Sequence, residues 1–147
     1  YEEIETGAEL PEELNRIDAY YQGHKDVRGM FAVDAGSTQG VAQVMKKYNL
    51  HEQGVRAGGY DLLPKTLEIL REGHIDFTID QQPYLQGFYP VLQLYLYKIS
   101  GGLTGPAETN TGLKFVTQED AGQYLETESR YEGDSDRPRL LEAPAAS

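Results

Sequence analysis

The chain of 147 residues has no cysteine, few basic residues and no long apolar run. Without cysteine, disulfides, thiolate nucleophiles and cysteine-ligated metals are excluded, and the redox compartment stays open. Lys and Arg number 13 against 24 Asp and Glu, a net charge of −11 and a pI near 4.6. Binding to nucleic acid or to an anionic membrane surface needs clustered cations, so neither is expected of this acidic surface. The longest near-apolar stretch, around residues 91–96, is broken by Gln93 and falls far short of the ~20 residues that span a bilayer. Hydrophobic residues make up 39% and the mean hydropathy is −0.57, as in a soluble domain large enough for one core. No signal peptide is visible. Tyr1-Glu2-Glu3 leads straight into an expected strand, so a fragment or a trimmed mature chain is expected.

What is present is an alternation. A first strand is expected over residues 3–6, then a helix from Pro11, a residue well suited to a first helical turn. Leu14, Ile17 and Tyr21 recur at spacings of three and four and define its buried face, and Gly23 ends it. Residues 28–33 form the second expected strand, nearly continuous in apolar residues at its end, as in a strand covered on both faces. The turn Asp34-Ala35-Gly36-Ser37-Thr38 feeds a helix with Val41, Val44, Met45 and Tyr48 on one stripe, stopping near Asn49. A third strand over 54–60 delivers Asp61, and Pro64 opens a helix closed by Gly73. A fourth strand over 75–79 delivers Asp80 and Gln81.

Pro83 then opens a long helix that is apolar over much of its circumference, which predicts heavy burial; Pro90 inside it predicts a kink or local break. A loop over 103–111 leads to a fifth strand over 112–116, and Thr117 with Asp120 has the spacing of a helix-capping pair. From Glu126 onward the charged, then Pro- and Ala-rich sequence predicts a flexible tail. Strands alternating with helices at this spacing imply an α/β fold, a parallel sheet with flanking helices.

The strand ends carry the chemistry. Val33 is followed by Asp34, Tyr60 by Asp61, and Ile79 by Asp80-Gln81. In an open α/β sheet those positions meet along the carboxyl edge, where ligands bind. Two carboxylates and an amide without a neighbouring Lys or His suit hydroxyl groups better than phosphate. Each Asp could equally cap the helix that follows it. Other chemistries find little support. His24, His51 and His74 lack a zinc-ligand spacing, and Ser37 lacks a nucleophile elbow. Gly58-Gly59 does not have a dinucleotide fingerprint, and a phospho-acceptor aspartate would want further acidic and lysine partners that are poorly represented. No metal and no cofactor is expected.

Phe31-Ala32-Val33-Asp34, Gly59-Tyr60-Asp61 and Ile79-Asp80-Gln81-Gln82-Pro83-Tyr84 with Gly87 together resemble the C-terminal half of periplasmic sugar-binding proteins of the ribose-binding type, over about residues 1 to 125. The resemblance implies the C-terminal lobe of a two-lobed fold, incomplete at its N-terminus, in a hinged receptor for an ABC importer. It places ligand contacts at Asp34, Asp61 and Gln81. Residues 1–82 would be the partial ligand-binding lobe and 83–111 a helix and loop packed on the N-terminal lobe. Residues 112–125 would be the returning strand with a last short helix, and 126–147 the tail. The implied partners are a monosaccharide or similar polyol, a membrane permease, and the remaining N-terminal part of the protein or a second chain that covers the long helix. The implied location is periplasmic or extracellular, with lipid anchoring as an option for the full-length protein. The alternative is the effector-binding domain of a sugar-responsive transcriptional repressor, which shares this fold. Neither reading is an enzyme.

Overall fold

The computed structural model describes residues 1–126. The expected tail, apart from Glu126, lies outside them. The elements follow the order α1 (Leu10–Gly23), β1 (Gly29–Phe31), α2 (Ala35–Lys47), β2 (Arg56–Tyr60), α3 (Pro64–Arg71), β3 (Phe77–Asp80), α4 (Pro83–Ser100), β4 (Lys114–Val116) and α5 (Gln118–Leu125). The four strands make one sheet in the order β1-β2-β3-β4. β1, β2 and β3 are parallel neighbours, with Phe31 opposite Gly58 and Tyr60 opposite Ile79, while β4 returns antiparallel with Lys114 opposite Asp80. The sheet is therefore mixed, and the antiparallel strand is the one that follows the long helix.

The expected strand at residues 3–6 does not form; that segment has no regular secondary structure and no strand partner among the described residues. Its anchors are side chains. The Tyr20 hydroxyl donates to Glu2, Arg16 donates to the Glu5 carbonyl, and Thr6 Oγ1 lies 2.7 Å from Ser37 Oγ. A strand earns its ladder from a neighbour, and here the segment is drawn onto α1 and α2 instead.

The core lies on one side of the sheet. Ile17 and Tyr21 from α1, Val41, Val44 and Met45 from α2, and Leu67, Ile69 and Leu70 from α3 pack with Val116, Ala121 and Tyr124 at the β4–α5 end. Among the described residues the second face is uncovered. Phe31 on β1, Phe77 on β3 and Phe115 on β4 run across it, with ring centroids 6.2 and 5.2 Å apart. On β2 the row is completed by Gly58, where a Cβ would come within 2.7 Å of the Phe77 ring, so the glycine lets that ring lie across the strand. Phe31 is 63% exposed and Phe115 57%. The expectation that residues 28–33 are covered on both faces therefore holds for one face only among the described residues.

The long helix gives the larger departure. Heavy burial was expected from its apolar circumference, yet none of its residues is buried, and Leu94 and Ile99 are 69% and 61% exposed. The helix continues through Pro90 to Ser100 and ends on Gly101 in the left-handed conformation, φ 76°. Its apolar side chains have the composition of a buried helix, and among the described residues nothing covers them.

Candidate ligand-binding site

The carboxyl ends of β1, β2 and β3 are consecutive along one sheet edge, so the chain segments after them reach one side of the domain. Asp34 follows β1 and is the N-cap of α2, with extended backbone (φ −143°) and its Oδ1 accepting the Ser37 N–H at 2.8 Å. Its carbonyl accepts from the Thr38 N–H and hydroxyl, and Thr38 Oγ1 in turn accepts the Tyr60 N–H at 2.9 Å, which ties the α2 cap to the end of β2. Burial acts to raise the Asp34 pKa, but the Ser37 backbone and hydroxyl, Glu13 and the Gly36 N–H together hold it below the usual carboxylate range.

Asp61 follows β2 in the left-handed region, φ 70°. The backbone is held there from both sides. Its N–H donates to the Ile79 carbonyl at 2.9 Å, and its own carbonyl accepts the Thr78 hydroxyl at 2.6 Å. A non-glycine residue in this region costs about 1–3 kcal/mol and persists where its surroundings over-determine it. The restraint aims the Asp61 carboxylate at Gln81, whose Nε2 donates to Asp61 Oδ1 at 2.8 Å.

Gln81 leaves β3 where the chain crosses toward α4. Its carbonyl accepts from Gln86 Nε2 at 2.9 Å and from Thr111 Oγ1 at 3.3 Å, and the Gln82 amide donates to the Thr111 carbonyl. The outgoing crossing at 81–82 and the return at 111 are thus stitched to each other, with Gln82 also in the left-handed region, φ 56°. Asp80 separates from Gln81 despite their adjacency. Successive strand side chains alternate faces, so Asp80 turns inward, 4% exposed, accepting from the Gln82 N–H at 2.8 Å and the Tyr124 hydroxyl at 3.4 Å. It shapes the turn and is shielded from solvent.

The structure therefore joins Asp61 and Gln81 directly. Asp34 lies on the same edge one strand further along, and the bonds described for it run to the α2 turn. Sequence reasoning missed Glu13, buried beneath the α2 cap, and Thr38, Thr78 and Thr111, which fix the backbone at the site. For Glu13 a signal existed, since it lies four residues before Ile17 on the buried face of α1. Among the described residues no acidic and histidine group could hold a metal ion. A groove of about 360 Å³ runs between α4 and residues 109–111, beside the crossings and away from the strand ends.

The fold has known counterparts. The family described as periplasmic binding protein domain matches residues 1–101. The chain belongs to that family. The xylose/arabinose-binding protein XylF of Sulfolobus acidocaldarius is 50% identical over 136 residues, 90% of this chain and 34% of that protein. The chain thus spans about a third of the length of this relative. GanP, a glucose-galactose binding protein from Geobacillus stearothermophilus, superposes with a TM-score of 0.67 at 28% identity, over 79% of this chain and 40% of GanP. A carbohydrate transporter solute binding protein from Agrobacterium radiobacter, solved with D-arabinose, gives 0.62 at 29% identity over 73% and 35% of the two chains. No helix among the described residues is long and apolar enough to cross a membrane.

Proposed function

We propose that the chain is the C-terminal part of a solute receptor for an ABC importer, taking a monosaccharide in a hinged cleft, with pentoses of the xylose and arabinose type as first candidates. The observation that carries this reading is the Asp61–Gln81 pair. One oxygen of the carboxylate fixes the amide at 2.8 Å, and the second takes no partner among the described residues. A carboxylate oxygen beside a fixed amide matches neighbouring hydroxyls of a sugar, accepting from one and exchanging with the next. Asp34 would supply a second acceptor from the next strand end. The names of the relatives support the same ligand class.

On this reading residues 1–82 are the partial ligand lobe, and the stitched crossings at 81–82 and 111–112 are the hinge. α4 and the loop to residue 111 pack on a partner lobe, and residues 112–125 return to the first lobe. Closure around the ligand shifts an open–closed equilibrium that a permease reads, which suits a periplasmic or extracellular protein. The role is binding rather than catalysis, with no nucleic acid among its partners. Titration calorimetry of the intact protein against xylose, arabinose, glucose and galactose tests it. Saturable binding of one of them, weakened at least about tenfold by Asp61→Ala and by Gln81→Ala, is expected. Full affinity in Asp61→Ala would remove the site, and no binding to any monosaccharide would remove the function.

A further inference from the structure

Both ladders that flank β2 stop short of its carboxyl end, and a buried threonine hydroxyl stands at each stop. Along β1 and β2 the bonded residues advance by twos, with the Arg56 N–H on the Arg28 carbonyl and the Ala32 N–H on that of Gly58. The ladder would next set the Tyr60 N–H on the Ala32 carbonyl. β1 ends at Phe31, and Thr38 Oγ1 accepts that N–H instead, at 2.9 Å. Toward β3 the Asp61 N–H still reaches the Ile79 carbonyl at 2.9 Å. The Asp61 carbonyl would next accept the Gln81 N–H. β3 ends at Asp80, and the Thr78 hydroxyl donates to that carbonyl instead, at 2.6 Å.

The hydroxyls stand in for a strand neighbour without imposing a strand's shape. A backbone group that loses its ladder partner away from water needs another. Here the replacement lets Asp61 leave extended geometry for φ 70°, where its Oδ1 takes the Gln81 amide at 2.8 Å. Thr38 and Thr78 are 1% and 0% exposed, so water does not compete for either bond. Gly59 pairs with Thr78 in the β2–β3 register, and a Cβ on it would come within 2.2 Å of Thr38 Oγ1. The absent side chain is what lets Thr38 reach the Tyr60 N–H. Thr38 is anchored in turn, its hydroxyl donating to the Asp34 carbonyl at 2.6 Å.

We propose that Thr38 and Thr78 are positioning residues of the sugar site: their hydroxyls hold the end of β2 in the shape that sets the Asp61 carboxylate on Gln81 before the ligand arrives. The proposal rests on the reading of the Asp61–Gln81 pair as the ligand contact. Both threonines are closed off from solvent, so each acts through the backbone of Gly59-Tyr60-Asp61. A pair held in place in advance spares the ligand the cost of ordering it, so affinity depends on the hydroxyls and not only on the volume they fill. Without the Thr78 hydroxyl the Asp61 carbonyl is released. The left-handed backbone, unfavourable for aspartate, then relaxes and turns the carboxylate off Gln81.

Calorimetric titration of the intact protein with xylose and arabinose, well below its melting temperature, tests this. Thr78→Val keeps the shape and loses the hydroxyl, and affinity is expected to fall about tenfold. Thr78→Ser keeps the hydroxyl and gives up a buried methyl, so its melting temperature falls while affinity stays within about twofold. Thr38→Val and Thr38→Ser repeat the contrast from the α2 side, and carry the test where circular dichroism shows Thr78→Val unfolded. Thr66→Val makes the same exchange at a buried threonine whose hydroxyl has no partner among the described residues, and should leave affinity unchanged. In an Asp61→Ala background Thr78→Val should cost nothing further, because the group it positions is gone. Wild-type affinity in the folded valine variants would overturn the proposal, as would serine variants as weak as the valine ones. An equal loss in Thr66→Val, or a full further loss in the Asp61→Ala background, would also overturn it. Nitrogen-15 NMR gives a sugar-free reading: solvent exchange of the Gln81 side-chain amide should quicken in Thr78→Val and hold in Thr78→Ser. Unchanged exchange in the valine variants sinks the positioning. Quickened exchange in a protein that binds no monosaccharide overturns the receptor reading and, with it, the ligand half of this proposal.

Discussion

Asp61 combines an unfavourable backbone with the best-aimed side chain at the strand ends, so strain and chemistry can be separated there. Asp61→Gly relieves the positive φ and removes the carboxylate in one step. The unfolding free energy is expected to stay level or rise by up to about 1 kcal/mol in urea denaturation, while sugar affinity of the intact protein is lost. A marked loss of stability would show that the Gln81 contact holds the fold rather than the ligand. Asp76 makes a second prediction at this scale. It sits between β2 and β3 with its oxygens on the Ala57 N–H (2.8 Å), Arg56 (3.0 Å) and His51 (3.4 Å). Burial raises its pKa, but the Ala57 amide, His51 and Arg56 outweigh it and the net direction is down. A depressed carboxylate contributes stability that is present above its unfolded value, about 4, and is lost as pH falls through the folded value. Glu13 has the opposite sign, its contribution being present in acid and lost as pH rises through its raised pKa. Asp76→Asn should therefore flatten the acid limb of melting temperature against pH and leave the alkaline limb alone.

Among the elements, α2 shows how local and distant causes meet. Its N-cap bond from Ser37 to Asp34 follows from residues three apart, and removing such a cap costs about 0.5–2 kcal/mol. Asp34→Ala should cost an amount within that range in chemical denaturation, because the Ser37 N–H loses its partner. A loss under ~0.5 kcal/mol would mean that water takes over the cap. The crossings are the other element-scale feature. Gln82 and Thr111 stitch two segments that are distant in sequence. Thr111→Val removes the hydroxyl that reaches the Gln81 carbonyl and, on the hinge reading, should loosen the Asp61–Gln81 geometry, raising the sugar dissociation rate more than it lowers the association rate. Stopped-flow binding measures both, and a change confined to association would count against the hinge.

For the whole molecule, the outstanding fact is the apolar surface left uncovered among the described residues, on α4 and on the Phe31–Phe77–Phe115 face. Each large side chain left in water forgoes about 1.5–3 kcal/mol of burial. Parallel strands are normally covered on both faces, and the chain spans only about a third of its relative XylF. The residues 1–147 alone should therefore self-associate or bind a hydrophobic dye, and should bind sugar weakly or not at all. Sedimentation over a concentration series checks this, and a monomer at every concentration without dye binding would show that these surfaces need no partner.

Sequence alone determined the elements whose causes lie within a few residues. Pro11, Pro64 and Pro83 open helices where proline is tolerated, Asp34 caps α2, and Thr117 with Asp120 makes the capping box of α5. The strand ends at Asp34, Asp61 and Gln81 were legible for the same reason, since apolar strand followed by polar turn is a local pattern. Tertiary structure decided what depends on neighbours remote in sequence. The 3–6 segment has strand-like residues but finds side-chain anchors instead of a ladder, and α4 has a core composition without a core around it. Adjacent Asp80 and Gln81 part company because the pleat sends one inward. Glu13 is buried beside the Ser37 hydroxyl because α1 packs on α2. Burial is a property of the folded arrangement, and only the fold could bring Glu13 to Ser37 or Gln81 to Asp61.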